Sequence, residues 1–125
     1  MNNKLVAYPF ESYPYKGFML DKLMYLPSVL ELFLSNDNEG GIKISFNGFY
    51  SFRVIDESDV IKMQDEFDGE MILGIYNLVD SEYLEWFHEQ SVGIHLDGNI
   101  THYMVVTVND VIEIISCEKP VISMI

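Results

Sequence analysis

Three histidines, His88, His95 and His102, offer this 125-residue sequence its widest choice of chemistry. Imidazoles can ligate zinc, shuttle a proton or activate a thiol, and Cys117 is the one thiol present. Two intervals of seven residues, however, would place the three rings on a helix, a loop and a strand with no shared local geometry. The expectation is therefore a surface His88, with His95 and His102 at sheet edges, and no zinc. The oxygen-rich run DEFDGE, Asp65 to Glu70, suits a hard cation such as calcium. It lacks the alternating acids and later glutamate of an EF-hand loop, so no metal is expected there either. Gly40-Gly41 stands alone without a following GK[ST], and no GxSxG occurs, so neither a phosphate loop nor a nucleophile elbow is present. Cys117 has only Lys119 as a positive neighbour and Val121 and Ile122 nearby. It reads as an inward-facing core residue on a strand rather than an activated thiolate. Twenty carboxylates make some close pair inevitable, so a pair alone assigns no acid–base role. The chain is expected to be no enzyme and to carry no cofactor.

The distribution of charge says more than its total of −13. From Met1 to Ile55, five acids balance five bases. From Asp56 to Glu89, eleven acids face Lys62 alone, which gives that stretch −10, and the remainder carries −3. Such a balance argues against unaided binding to DNA or RNA, where a basic footprint is needed. One-sign density of this kind can be plain solvation, but it also steers charged partners. No apolar run approaches the ~20 residues of a membrane span. Pro9, Glu11 and Pro14 interrupt any secretory apolar segment, and one unpaired cysteine suits a reducing, cytoplasmic setting.

The elements that must position these groups follow from periodicity. Val29 to Leu34, Ile42 to Phe46 and Phe49 to Ile55 read as strands, the first two separated by SNDNEGG. A loop over Phe46, Asn47 and Gly48, with Gly48 left-handed, would pair Ile44 with Tyr50 and Ile42 with Phe52 and keep one face apolar. Ser58 to Phe67 has the spacing of a short helix, and Met71 to Val79 that of a buried strand. Asp80 or Ser81 caps a helix reaching about Gln90. Tyr83, Leu84 and Phe87 form its inner stripe, and Glu82, Glu85 and Glu89 its outer one. HYMVVTV and VIEIISC are strands around Asn109-Asp110, apolar on both faces as covered central strands are. The expected architecture is α+β in a single domain, residues 1–125. It has an antiparallel sheet of about five to seven strands and one main helix, about 81–90, packed on it.

Most of the eight tyrosines, eight phenylalanines and one tryptophan must be core. The proline-broken AYPFESYPY, Ala7 to Tyr15, is harder to bury. Trp86 sits between Glu85 and Glu89, the composition of an interface anchor with a charged rim. It also suits a ring sealing the helix against the sheet.

The strings GFMLDKLMYL, ISFNGFYSFRVIDE and HYMVVTVNDVIEIIS with CEKP after it are similar to segments of small acidic immunity proteins. These belong to bacterial contact-dependent inhibition and other polymorphic toxin systems. The resemblance implies a protein that acts without catalysis, in the cytoplasm of the producing cell, by blocking a cognate toxin that is often a basic nuclease. Charge and exposure then nominate the partner-binding residues: Asp56, Glu57, Asp59, Asp65, Glu66, Asp68 and Glu70, the helical Glu82, Glu85 and Glu89, and Trp86 as apolar anchor. Two other classes fit the same composition, a small-ligand or regulatory domain enclosing a pocket and a structural homodimer joined through a sheet edge. The oligomeric state stays open.

Overall fold

A computed structural model of the chain describes residues 4–7, 18–36, 40–56, 74–79, 81–96 and 98–125. Within them lie nine strands and one helix. The strands are β1 (Lys4–Ala7), β2 (Met19–Leu26), β3 (Val29–Asn36), β4 (Gly40–Asn47), β5 (Phe49–Asp56), β6 (Gly74–Val79), β7 (Thr101–Val106), β8 (Asp110–Ser116) and β9 (Val121–Met124). The helix α1 spans Glu82–Gln90. All pairings are antiparallel and fall into two sheets, ordered β1-β6-β7-β8-β5 and β2-β3-β4-β9. The helix expected over Ser58 to Phe67, most of AYPFESYPY, and residues 71–73 of the strand expected over Met71 to Val79 lie outside the described residues.

Alternation builds the second sheet. In β3 and β4 the pairs Leu30–Phe46, Leu32–Ile44 and Leu34–Ile42 share one face, and all six side chains are buried. Opposite them, the first sheet contributes Ile75, Tyr103, Val105, Ile112 and Ile114 to the same cluster, with Phe49 and Phe52 packed against it. Side chains meeting across two stacked sheets close a dry interior, as in other β-sandwiches. Asn109, in the turn between β7 and β8, clasps the layers together. Its Oδ1 accepts the Leu20 N–H at 3.0 Å and its Nδ2 donates to the Leu20 carbonyl at 3.3 Å.

The expected single sheet of five to seven strands is therefore corrected to two sheets of five and four. The hairpin joining β4 to β5 is also corrected. Gly48 is left-handed, with φ +83°, but β4 pairs with β3 and β9 while β5 crosses to the other sheet and pairs with β8. Ile42 and Ile44 join the interior cluster, against which Phe52 packs from the other sheet, and Tyr50 turns to Phe87 and His95 instead of lying beside Ile44. A period of two reports which face is buried, not which neighbour shares the sheet. Gly48 anchors the crossover at both ends. Its N–H donates to the Ser28 carbonyl at 2.7 Å, and its carbonyl accepts the Cys117 N–H at 3.3 Å. Cys117 is also corrected: β8 ends at Ser116, and the thiol is exposed in the following turn. The Ser116 hydroxyl, which donates to the Glu118 carbonyl, bends the chain away there.

A methyl group on Gly48 would meet the Cys117 sulfur at 2.9 Å in a backbone conformation that costs other residues about 1–2 kcal/mol. Gly48→Ala is expected to destabilise by at least that much in a denaturant titration. Cys117→Ala alone should stay within ~0.5 kcal/mol. Added to Gly48→Ala, it should restore part of the loss. A neutral Gly48→Ala would contradict this crossover.

Candidate functional site

The helix lies over the face of the five-stranded sheet turned away from the second sheet. Ser81 begins it: its hydroxyl oxygen accepts the Leu84 N–H at 2.9 Å, satisfying one of the free donors of the first turn. Tyr83, the second residue of the helix, points down. Its hydroxyl hydrogen-bonds Ser51 at 2.5 Å and its ring stands edge-on to His102, with centroids 5.1 Å apart. The Arg53 guanidinium lies 4.1 Å from the Tyr83 ring centre, within cation–π range. Trp86 stacks on Tyr83 from outside, with centroids 5.8 Å apart, and remains 50 % exposed.

Beneath the helix sits a polar cluster that the sequence reading did not assemble. Glu113 in β8 stands directly across from Arg53 in β5. Arg53 donates to it twice, through Nε to Oε2 at 2.5 Å and through Nη2 to Oε1 at 3.0 Å. His102 Nε2 reaches Oε1 at 3.0 Å without the alignment of a linear hydrogen bond. On the far side, His102 Nδ1 lies 2.5 Å from the Ser81 hydroxyl. In the neutral ring, that hydroxyl donates to Nδ1 and the ring proton on Nε2 faces Glu113. His102 is 1 % exposed in the middle of the sheet, which corrects its expected edge position. His95 is not at a sheet edge either. It sits in the turn after α1, its ring 4.7 Å from that of Tyr50 and stacked on Phe87 at 5.5 Å. His88 is half-buried near the end of α1.

The electrostatics follow from burial and pairing. Burial works most strongly against an ionised Glu113, but His102 and Arg53 together outweigh it and hold the carboxyl below its ordinary range. Burial likewise opposes the Arg53 charge, and Glu113 more than offsets it. Burial raises the Tyr83 phenol, with Glu113 adding to the rise, while Ser51 and Arg53 act against it.

Serine, histidine and glutamate in sequence are the residue types of an acyl-transfer relay. Here the Ser81 hydroxyl is buried and already accepts the helix N-terminal bond, and the glutamate is shared with Arg53. The three groups fasten the helix to the sheet. Among the described residues, no group of three or more His, Cys, Asp or Glu could hold a metal ion. No helix there is long and apolar enough to cross a membrane.

Among the described residues, two surface hollows carry polar groups in their walls. One of about 320 Å³ is lined by Ser51, Phe52, Arg53, Tyr83 and Trp86. A wider one of about 720 Å³ lies where β7 begins and β8 leads to β9, with Asn99, Tyr103, Cys117 and Lys119 in its wall.

Of the nominated partner-binding residues, Glu82, Glu85, Trp86 and Glu89 come together on the exposed side of α1. Asp56 ends β5, three residues and about 10 Å beyond Arg53 along the strand. It is exposed and pairs across with Asp110, whose carboxyl is raised first by burial and then by Asp56. Glu57, Asp59, Asp65, Glu66, Asp68 and Glu70 lie outside the described residues. Glu113 had a signal in the sequence, a charged residue with apolar neighbours on both sides within its strand, and Arg53 and His102 had a weaker one, each sharing its strand with other polar residues. Comparison of the chain with protein-family models, with curated proteins and with solved structures finds no match among them.

Glu113 links the cluster to pH. Its carboxyl titrates lower in the folded state than in the unfolded chain. Its stabilisation is therefore complete above the unfolded value, about 4.3, and is lost as pH falls through the folded one. Unfolding free energy should drop across that acid range, and Glu113→Gln should flatten this limb. At neutral pH, Glu113→Ala should cost about 1–3 kcal/mol, because it leaves the buried His102 ring without its acceptor, while Arg53 stays half open to solvent. An unchanged acid limb in Glu113→Gln would remove Glu113 from this role.

Proposed function

We propose that this protein is a non-catalytic immunity protein that neutralises a basic toxin domain, a nuclease by preference, through the acidic face around α1. The observation that carries the proposal is the exposed side of the helix. Trp86 stands half out of the surface among Glu82, Glu85 and Glu89, and its inner side is backed by Tyr83. A large ring held against a rigid support, with one sign of charge around it, is the make-up of an interface centre and its rim. A nuclease cleft must attract a polyanion, so it offers the complementary charge. Carboxylates would speed encounter, and the indole would slow release. The resemblance of GFMLDKLMYL, ISFNGFYSFRVIDE and HYMVVTVNDVIEIIS to immunity proteins points the same way. The proposal keeps the acids from Asp56 to Glu70 as further contact candidates and places the complex in the cytoplasm.

A second reading rests on the hollow beside Arg53. Its volume is at the lower end of the range for small-ligand sites, and a guanidinium with two aromatic rings suits a planar anion. Little salt dependence and a co-purifying small molecule would favour it.

The test takes the protein encoded immediately upstream as partner, where the gene order of such systems puts the toxin. Replacing Glu82, Glu85 and Glu89 together by Lys shifts the charge by +6 on exposed positions. The circular dichroism spectrum should not change. Association should slow by about tenfold or more at low salt, with the difference shrinking as salt rises. Trp86→Ala should instead accelerate dissociation, with an affinity loss of about 2 kcal/mol. Reversing Asp37 and Glu39 is the matched control. A triple variant that associates and protects like this control would remove the helix from the interface.

A further inference from the structure

The end of α1 carries an unusual choice of residue. Ser91 is the C-cap, and the two N–H groups after it close the helix. Val92 donates to the Glu89 carbonyl at 3.2 Å and Gly93 to the His88 carbonyl at 2.9 Å. This is the six-to-one and five-to-two pattern of a Schellman ending, whose left-handed position is usually glycine. Here that position is Val92, with φ +53°. A β-branched residue in this conformation is strained. Burial does not compensate the strain, because Val92 is 87 % exposed.

The residues after it repeat the pattern. Ile94 is 75 % and Leu96 65 % exposed, while Gly93 and His95 between them are half-buried. The segment is nonetheless well tied. Ile94 N–H donates to Ser91, Leu96 N–H to Gly93 and Gly98 N–H to His95. The His95 ring is held between Tyr50 and Phe87. Single exposed apolar residues need no explanation. Three aliphatic side chains within five residues, turned outward by a hydrogen-bonded loop and begun by a strained valine, do. Strain kept where a glycine would relieve it points to use of the side chain.

We infer that Val92, Ile94 and Leu96 form a preformed apolar tip that inserts into a nonpolar pocket with a basic rim on a partner protein. The inference rests on the proposed function and adds the anchor that Trp86 alone would not supply. Charge selects this occupant. The tip follows Glu85 and Glu89 on the chain, and those carboxylates would meet like charge on a second copy or on an anionic lipid surface. They attract a basic protein. Holding the tip in its bound shape beforehand removes an ordering cost at binding.

Two synthetic amphipathic peptides serve as probes, one with lysine and leucine faces and one with serine at every leucine position. The lysine–leucine peptide should bind the wild-type protein about tenfold or more tightly than the lysine–serine peptide. In the double variant Ile94→Ser, Leu96→Ser that preference should vanish while the weak lysine–serine binding persists. Replacing Glu82, Glu85 and Glu89 by Lys should weaken both peptides. If only the triple variant has an effect, the tip proposal fails and the acidic-face reading stands. If only the double variant has an effect, the acidic-face reading fails. Val92→Gly should raise the melting temperature by a few degrees and reduce the leucine preference, and an unchanged or lower temperature would overturn the strain argument. Sedimentation and anionic vesicles close the test. Dimerisation, or vesicle binding, that the double variant abolishes would assign the tip to a second copy or to lipid and overturn the proposal.

Discussion

A carboxylate in the middle of a sheet constrains everything around it. Glu113 lies on a central strand buried on both faces, and burial alone would raise its carboxyl toward the neutral form. Arg53 from the neighbouring strand and His102 from the other side keep it ionised. Because side chains alternate, a slip of one residue in β8 would turn this carboxylate into the apolar interior among Tyr103, Val105 and Phe52. One anion therefore fixes the register of β5 against β8 and the face each strand presents. It also fixes where the helix can sit. Ser81 reaches His102, and Tyr83 spans Arg53, Ser51 and His102, so the N-terminal half of α1 is fastened to the cluster.

This arrangement separates two kinds of charge. Glu113 is satisfied internally and contributes little field outside. Glu82, Glu85 and Glu89 stay on the solvent side of the helix. The same helix is thus a structural element on one side and a charged surface on the other. Trp86 sits at the seam, one ring face covered by Tyr83 and half of its surface open.

The sequence made local structure legible and left long-range partners hidden. Its periodicity placed β3, β4, β5, β7, β8 and α1 within a few residues, with the left-handed Gly48 and a cap at Asp80 or Ser81, of which the structure uses Ser81. Both-face apolarity in HYMVVTV and VIEIISC correctly marked covered central strands. The division into two sheets was not legible, because Ile42 and Phe52 can share one apolar face side by side or one core from opposite sheets. The short β9, split from β8 by CEKP, offered too few residues for a pattern. The polar cluster was missed for a related reason. Glu113, His102 and Arg53 each look anomalous alone and become a unit only once β8 lies between β5 and β7. Charge counting did pick out Glu82, Glu85 and Glu89, because exposure on a helix follows from spacing. It gives no sign of Val92, Ile94 and Leu96, because nothing in their spacing tells which way they point.

The overlooked residues clarify how such a surface could discriminate. Carboxylates alone attract any cation-rich protein, and screening by salt weakens them equally for right and wrong partners. Apolar contact is short-ranged and demands a matching hollow, so it tells partners apart after encounter rather than before. It does so best when the protruding groups do not have to be ordered on contact. The Schellman ending, the His95 stack and the consecutive backbone bonds supply that order in the free protein. Val92 is the point where local and global preferences conflict, a strained residue whose side chain gains nothing within its own chain. Such conflicts are expected where a sequence serves something besides its own fold. The helix end, not only the helix face, is where selectivity would reside.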